Sequence, residues 1–471
     1  MKVVIKETSV VRPFEDTPKR RLWLSSIDVM YTRRAHTPLL FFYKFTGSGN
    51  FFDPEVVKES LSKVLVLYYP VAGRLGRDEN GRIEIGCNGD GVLYAEAVAD
   101  CAMPEPGDLG PDDVGLLQVL PPVSYNSSHD VSSFPLLVVQ VTRFSCGSVC
   151  LGIGWHHNLA DGIHFLTSWS SLAQGHPINR PILLDRTSLR SRVCSYTPTF
   201  HHPEYDKFPV MNGISTLQVR SLTSQTNSEV IFEITRDQIK ALMPVRDQKE
   251  ESDKTKYTYF EILTAFIWRT ACRARNLSDG QATKLRFAVD GRSRLNPPLP
   301  PDYFGNAIFS CTTMAVSGEL LSEPFVETVD RIHKAIIRMD DEYLRSAVEF
   351  LENKGDLTSI MHDPGVCACP NLNIVSWTKL PFHAVDFGWG RADMKPTKMF
   401  DGKGLIMINP KDEESLMLDI CLEANHMQAF KSCSVLHFRA IQWPSCNSNI
   451  FTPNIELCFL ILQYLIFCFS L

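Results

Sequence analysis

The chain has 471 residues, 44% of them hydrophobic and 21% charged, which is length and apolar content enough for more than one buried core. A formal net charge of -6, with no long run of Lys or Arg, argues against a nucleic-acid-binding surface. The 14 cysteines are scattered from Cys87 to Cys468 without framework spacing, so they read as reduced thiols rather than a disulfide scaffold.

The N-terminus mixes acids and bases and lacks the apolar segment of a secretory signal, so a cytoplasmic protein is expected. Residues 39–43 (LLFFY) have strand composition. The run 55–67 repeats apolar residues at helical spacing, with Asp53 as N-cap and Pro54 as first helical residue. Residues 82–85 alternate as a strand, and 101–115 form a loop rich in Pro, Gly and Asp. Two further strands, 136–144 and 149–155, are joined through Ser145-Cys146-Gly147-Ser148 as a hairpin. The second carries Gly152 and Gly154, as if another backbone or a ligand must come close. Ile163, Leu166, Trp169 and Leu172 then mark an amphipathic helix ending at Gly175.

Residues 176–228 are polar and aperiodic, which predicts a crossover between an N-terminal domain (1–175) and a C-terminal one (229–433). In the second half, 229–234 reads as a strand, Thr235 caps a helix through Met243, and 246–256 is a charged loop. The run 259–275 is helical and 285–289 a short strand. Residues 434–471 form a separate tail ending in LCFLILQYLIFCFSL, which at about 15 residues is shorter than the roughly 20 of a membrane-spanning helix.

Chemistry concentrates in the segment Trp155-His156-His157-Asn158-Leu159-Ala160-Asp161-Gly162, where a strand pattern gives way to a helical one. His157 is the candidate general base, because imidazole takes up and returns a proton near neutrality without strong perturbation. A zinc site from His156, His157, Asp161 and His164 is disfavoured, since a strand-to-helix break turns adjacent histidines apart. The C-x-C of Cys367 and Cys369 lacks a second ligand pair, so no metal is expected. Asp386-Phe387-Gly388-Trp389-Gly390 begins like the kinase DFG. No G-x-G-x-x-G loop, V-A-I-K lysine or H-R-D sequence accompanies it, and no G-x-S-x-G elbow marks a serine hydrolase.

HHNLADG and DFGWG, in that order, together resemble the plant BAHD acyl-CoA-dependent acyltransferases. The similarity runs from Lys2 to Ala429 through WLSSIDVM, NFFDP, YYPVAGRL, CNGDGVLY, VDGRSRLNPPLPPDYFGNA and CPNLNIVSW, and is strongest toward the hydroxycinnamoyl-CoA shikimate/quinate hydroxycinnamoyltransferase group. The resemblance implies an α/β fold of two similar chloramphenicol-acetyltransferase-like domains joined by a long crossover, with an active-site channel at their interface. It implies a monomer that uses acyl-CoA as co-substrate, with a small-molecule acceptor and no further cofactor. His157 would be the base and the Trp377 indole N–H the donor to the carbonyl oxygen. Asp161, followed by Gly162, would pair with Arg292 or Arg294. Asp386, Gly388, Trp389 and Gly390 would play structural parts on the CoA side.

Around the acceptor the sequence departs from that group. His36 is retained, but Leu39 and Phe41 stand where Ser and Tyr are usual, and Val375 where Thr is. His362 falls at the place of an arginine that grips the acceptor carboxylate, and imidazole cannot reproduce a bidentate guanidinium grip. A less polar acceptor than shikimate or quinate is expected, received as hydroxyl or amine. The competing expectation is a catalytically weak relative that serves as a binding or regulatory protein. From Ser434 onward the resemblance stops, and a misjoined or intron-retained end is preferred over a tail anchor that would touch membrane.

Overall fold

The computed structural model describes residues 1–32, 36–103, 118–120, 123, 131–191, 199–212, 227–243, 257–354, 357, 366–396 and 400–442. The N-terminal half contains β1 (Val3–Val11), β2 (Arg20–Trp23), α1 (Ser26–Met30), β3 (Thr37–Tyr43), α2 (Pro54–Leu67), β4 (Arg74–Arg77), β5 (Ile83–Cys87), β6 (Val92–Ala99), β7 (Leu137–Arg143), β8 (Val149–Trp155) and α3 (His164–Ala173). The C-terminal half contains β9 (Asn227–Ile234), α4 (Arg236–Ala241), α5 (Tyr259–Ala274), β10 (Ala282–Asp290), β11 (Ile308–Val316), α6 (Ser317–Ser322), α7 (Phe325–Ile337), α8 (Asp341–Glu352), β12 (Leu372–Ser376), β13 (Asp393–Pro396), β14 (Lys403–Asn409), β15 (Asp412–Glu423) and α9 (Ala424–Gln442).

Local chemistry sets several of these boundaries. Asp53 accepts from the Glu55 amide and Pro54 opens α2, whose Val57, Leu61, Val64 and Leu65 are buried. Thr235 and Thr258 each make a capping box, with Gln238 and Glu261, which fixes the starts of α4 and α5. The hairpin of β7 and β8 is antiparallel from Leu137↔Trp155 to Arg143↔Val149.

Two six-stranded sheets organise the halves, in the orders β1-β6-β7-β8-β3-β13 and β11-β10-β12-β14-β15-β9. A small sheet, β2-β5-β4, flanks the first. This is the α/β architecture expected from the sequence, one sheet per half with helices packed against it. Between Ala173 and β9, the described residues carry 3-10 turns at Thr187–Leu189 and Pro203–Tyr205, a bridge from Leu183 to Tyr303 and hydrogen bonds from Arg186 to Asn158 and Leu159, so this segment touches both halves.

The halves are interleaved. β13 leaves the C-terminal half to pair antiparallel with β3, Met394 opposite Phe41. Beside it, Phe387 and Trp389 enter an aromatic cluster with Tyr43, Phe51, Phe52 and Trp169 of the first half. NFFDP thus supplies both a helix cap and half of an inter-domain core.

The glycines of β8 are required by close approach. A Cβ on Gly152 would stand 2.0 Å from the Val119 carbonyl oxygen. One on Gly154 would stand 2.4 Å from Val138 Cγ2 and 3.1 Å from His36 Cβ. The backbone crowding read from the sequence is therefore filled by protein, with His36 packed directly on the strand that leads to His157.

Candidate active site

β8 ends at Trp155, and the chain turns through 156–163 before α3 begins at His164. Each carbonyl from His157 to Ala160 accepts a hydrogen bond from a side chain. Asn306 Nδ2 donates to His157 O at 2.8 Å, and Arg186 Nη1 and Nη2 donate to Asn158 O and Leu159 O at 3.0 and 2.7 Å. Trp155 Nε1 donates to Ala160 O at 2.9 Å. The loop has no regular structure of its own to satisfy these groups, so the donors fix its path. His157 is held by its backbone at a defined height between the two halves.

Two of these donors, Asn306 and Arg186, are themselves organised by Asp28 of α1. Its carboxylate accepts from Ser25 N and Oγ at 2.9 and 2.7 Å, from Asn306 N and Nδ2 at 2.8 Å each, and pairs with Arg186 Nη1 at 3.0 Å. Asp28 and Arg186 both have 0% side-chain exposure. A charge so far from water persists where every lone pair is met, and here the acid has five donors. Asn158 Nδ2 closes the network on Asp28 O and Thr32 Oγ1, at 2.6 and 2.9 Å.

Asp161 points into a second ion pair. Arg292 reaches it with both terminal nitrogens, Nη2 to Oδ1 at 2.6 Å and Nη1 to Oδ2 at 3.2 Å, while the Ala307 amide donates to Oδ2 at 2.7 Å. Burial alone would lower the Arg292 pKa. The charge of Asp161, helped by Asp290, outweighs it and leaves the guanidinium more basic than usual. Of the two arginines offered by the sequence, Arg292 is therefore the partner. Arg294 instead donates to the carbonyls of Ile336 and Met339, where α7 ends, at 2.9 and 3.0 Å. Gly162 has an ordinary φ; a Cβ there would meet the His164 ring at 3.2 Å, so its place is one of tight packing. Among the described residues no group of three His, Cys, Asp or Glu is gathered to hold a metal.

Asp386 Oδ1 accepts from the Gly388 and Gly390 amides at 2.8 and 3.0 Å, and both glycines have positive φ, 91° and 101°. This tight turn presents Phe387 and Trp389 to the inter-domain aromatic cluster. Tyr43 Oη and Gln174 Nε2 tie its flanks by donating to Val385 O and Asp386 O. The segment is a clasp between halves.

Trp377 follows β12, with its amide on Ile406 O at 2.8 Å and its ring 5.3 Å from Phe382. Phe382 also lies 6.2 Å from Phe41 on β3, and β3 pairs directly with β8, so one aromatic row connects Trp377 to the sheet that delivers His157. Leu39 and Phe41 are buried, at 8% and 0% exposure, on the face of β3 that meets this row. Val375 packs with Trp377 and Met394 against Leu405, Met407 and Cys421. His362 lies outside the described residues, as does the tail from 443 onward.

His36 Nε2 sits 2.7 Å from the Pro135 carbonyl, which can only accept, so that nitrogen carries the proton. Burial, against the opposing pull of this hydrogen bond, lowers the imidazole pKa from 6.5 to about 4. The unfolded chain therefore binds a proton that the folded one refuses. The associated stability is complete above pH 6.5 and is lost as pH falls toward 4, by up to about 3 kcal/mol. His36→Asn, which has an amide to offer Pro135, should show a smaller fall in urea midpoint between pH 7 and 4.5 than wild type. An equal fall in both proteins would contradict the neutral assignment.

Asp28, Arg186 and Asn306 were not anticipated as site residues. Ser25-x-x-Asp28 has the spacing of a capping box, a local signal that accounts for one carboxylate oxygen; the other serves partners 158 and 278 residues away.

Two matched halves with a pinned histidine between them define a two-domain acyltransferase fold. The Transferase family profile matches residues 1–435, and the chain belongs to that family, the BAHD acyl-CoA-dependent acyltransferases. It is 44% identical to shikimate O-hydroxycinnamoyltransferase of Nicotiana tabacum over 436 residues, spanning 92% of this chain and 99% of that protein. Over 447 residues it is 39% identical to a hydroxycinnamoyl-CoA:5-hydroxyanthranilate N-hydroxycinnamoyltransferase of Avena sativa, again 92% and 99%. The fold matches F. graminearum TRI101 complexed with ethyl coenzyme A, with a TM-score of 0.68 at 16% identity, covering 88% of this chain and 97% of that one. The chain is an enzyme of acyl transfer from a CoA thioester to a hydroxyl or amine.

Proposed function

We propose that the protein transfers a hydroxycinnamoyl-type acyl group from its CoA thioester to an acceptor less polar than shikimate or quinate. The observation that carries this reading is the apolar cover of the acceptor strand. Phe41 is buried beside Phe382, and Leu39 is buried two residues before it on the same strand, where the hydroxycinnamoyltransferase group usually offers hydroxyls. A polar acceptor brought there would lose hydrogen bonds to water without replacement.

In the reaction, His157 takes the proton from the acceptor hydroxyl or amine as its heteroatom attacks the thioester carbonyl. The tetrahedral intermediate carries negative charge on the former carbonyl oxygen, and in our reading the Trp377 indole N–H donates a hydrogen bond to it. Collapse breaks the carbon–sulfur bond, and the CoA thiolate leaves with the proton held by the imidazolium. Both substrates are bound together, so holding them side by side replaces an acyl-enzyme. Asp161, Arg292 and the DFGWG clasp keep the halves in register and take no proton.

The test is a panel of phenolic, alcohol, amine and polyamine acceptors incubated with p-coumaroyl-CoA, read by mass spectrometry. Product with an apolar or amine acceptor, and little with shikimate, is expected. Binding without product across the panel would favour the binding-protein alternative. The same reading predicts that His362→Arg combined with Leu39→Ser and Phe41→Tyr raises kcat/KM for shikimate by at least tenfold, in line with one recovered charge-assisted contact. No gain would disprove the assignment of these positions to the acceptor.

A further inference from the structure

Tyr31 lies face to face with the imidazole of His157, ring centroids 4.1 Å apart and planes 20° from parallel. Its place is fixed from behind. It closes α1 as C-cap, its amide donating to the Asp28 and Val29 carbonyls, and every residue of α1 is buried. The Asp28 carbonyl also accepts from Asn158 Nδ2 at 2.6 Å, so one peptide group sets both the root of Tyr31 and the residue after His157.

Backbone clamping of residues 157–160 fixes the Cα of the base but not the plane of its ring, because the second side-chain torsion of histidine has a broad preference. A flat partner at stacking distance supplies that restraint. The contact is also sensitive to charge, since an aromatic face attracts a cation more than a neutral ring. Resting on the acyl-transfer reading above, we propose that Tyr31 is a positioning residue: its ring sets the plane of the His157 imidazole and favours the imidazolium formed as the acceptor gives up its proton. Because the attraction grows along the reaction coordinate, its loss falls on turnover rather than on substrate binding.

The experiment compares Tyr31→Leu, Tyr31→Met and Tyr31→Phe with wild type in steady-state acyl transfer, each first matched for thermal unfolding midpoint. Wild-type turnover tests the acyl-transfer reading by itself; its absence would overturn that reading and, with it, this proposal. Given turnover, Tyr31→Leu or Tyr31→Met, whichever keeps the wild-type midpoint, should lower kcat about three- to thirtyfold with KM for acyl-CoA within about twofold. Tyr31→Phe, which keeps the ring, should hold kcat within about twofold of wild type. Unchanged kcat in the folded aliphatic variants would overturn the proposal. So would a Tyr31→Phe loss as large as theirs, which would assign the effect to the hydroxyl, or a rise in KM at constant kcat. If neither aliphatic variant folds to the wild-type midpoint, Tyr31 is a packing residue and the proposal fails.

Discussion

His157→Ala is expected to lower kcat on the order of a hundredfold to ten-thousandfold, the range for losing a positioned general base, while acyl-CoA still binds. The separation follows from how the residue is held. Its carbonyl is tied to Asn306 and the next three to Arg186 and Trp155, none of which depends on the imidazole, so the loop should keep its path when the ring is removed. CoA release in the presence of the true acceptor measures the first half of the claim, and calorimetric titration with a non-hydrolysable CoA thioether measures the second. CoA release near the wild-type rate would remove His157 from the mechanism.

Asp28→Ala should be the most damaging substitution other than at His157. It strands the Arg186 guanidinium without its carboxylate at 0% exposure and releases both nitrogens of Asn306, and breaking a buried pair in this way costs about 3–5 kcal/mol. Two consequences are separable. The urea midpoint should fall, and whatever protein stays folded should lose kcat, because the carbonyls of 157–159 then rest on donors that have lost their own anchor. Replacing both charges at once, with Asp28→Leu and Arg186→Met, removes the stranded cation and should recover part of the midpoint without recovering kcat. A double variant no more stable than Asp28→Ala would show that the carboxylate acts through Ser25 and Asn306 rather than through the arginine.

The sequence made the local features legible. The Asp53 cap, the Thr235 cap of α4, the β7–β8 hairpin and the crowded glycines of β8 all depend on residues close in the chain, and the structure carries each of them. What periodicity did not disclose is the pairing of distant segments. β1, with Lys6, Glu7 and Thr8 exposed, has too weak an alternation to stand out, and it becomes a strand by pairing with β6. Asp28 and Asn306 look like a helix start and a turn residue until the fold brings them within 2.8 Å of each other. Arg292 and Arg294 are equivalent in composition. The turn at 291–295 aims one at Asp161 and the other at the end of α7, a distinction of backbone direction that spacing alone leaves open.

The placement of β13 bears on how the molecule is assembled as it is made. Until residues 393–396 leave the ribosome, β3 is an unpaired sheet edge, and Phe51, Phe52 and Trp169 lack Phe387 and Trp389 to cover them. The first half is thus completed by nearly the last part of the chain, and translation through some 400 codons must finish before the sheet that carries the base has its full complement of partners.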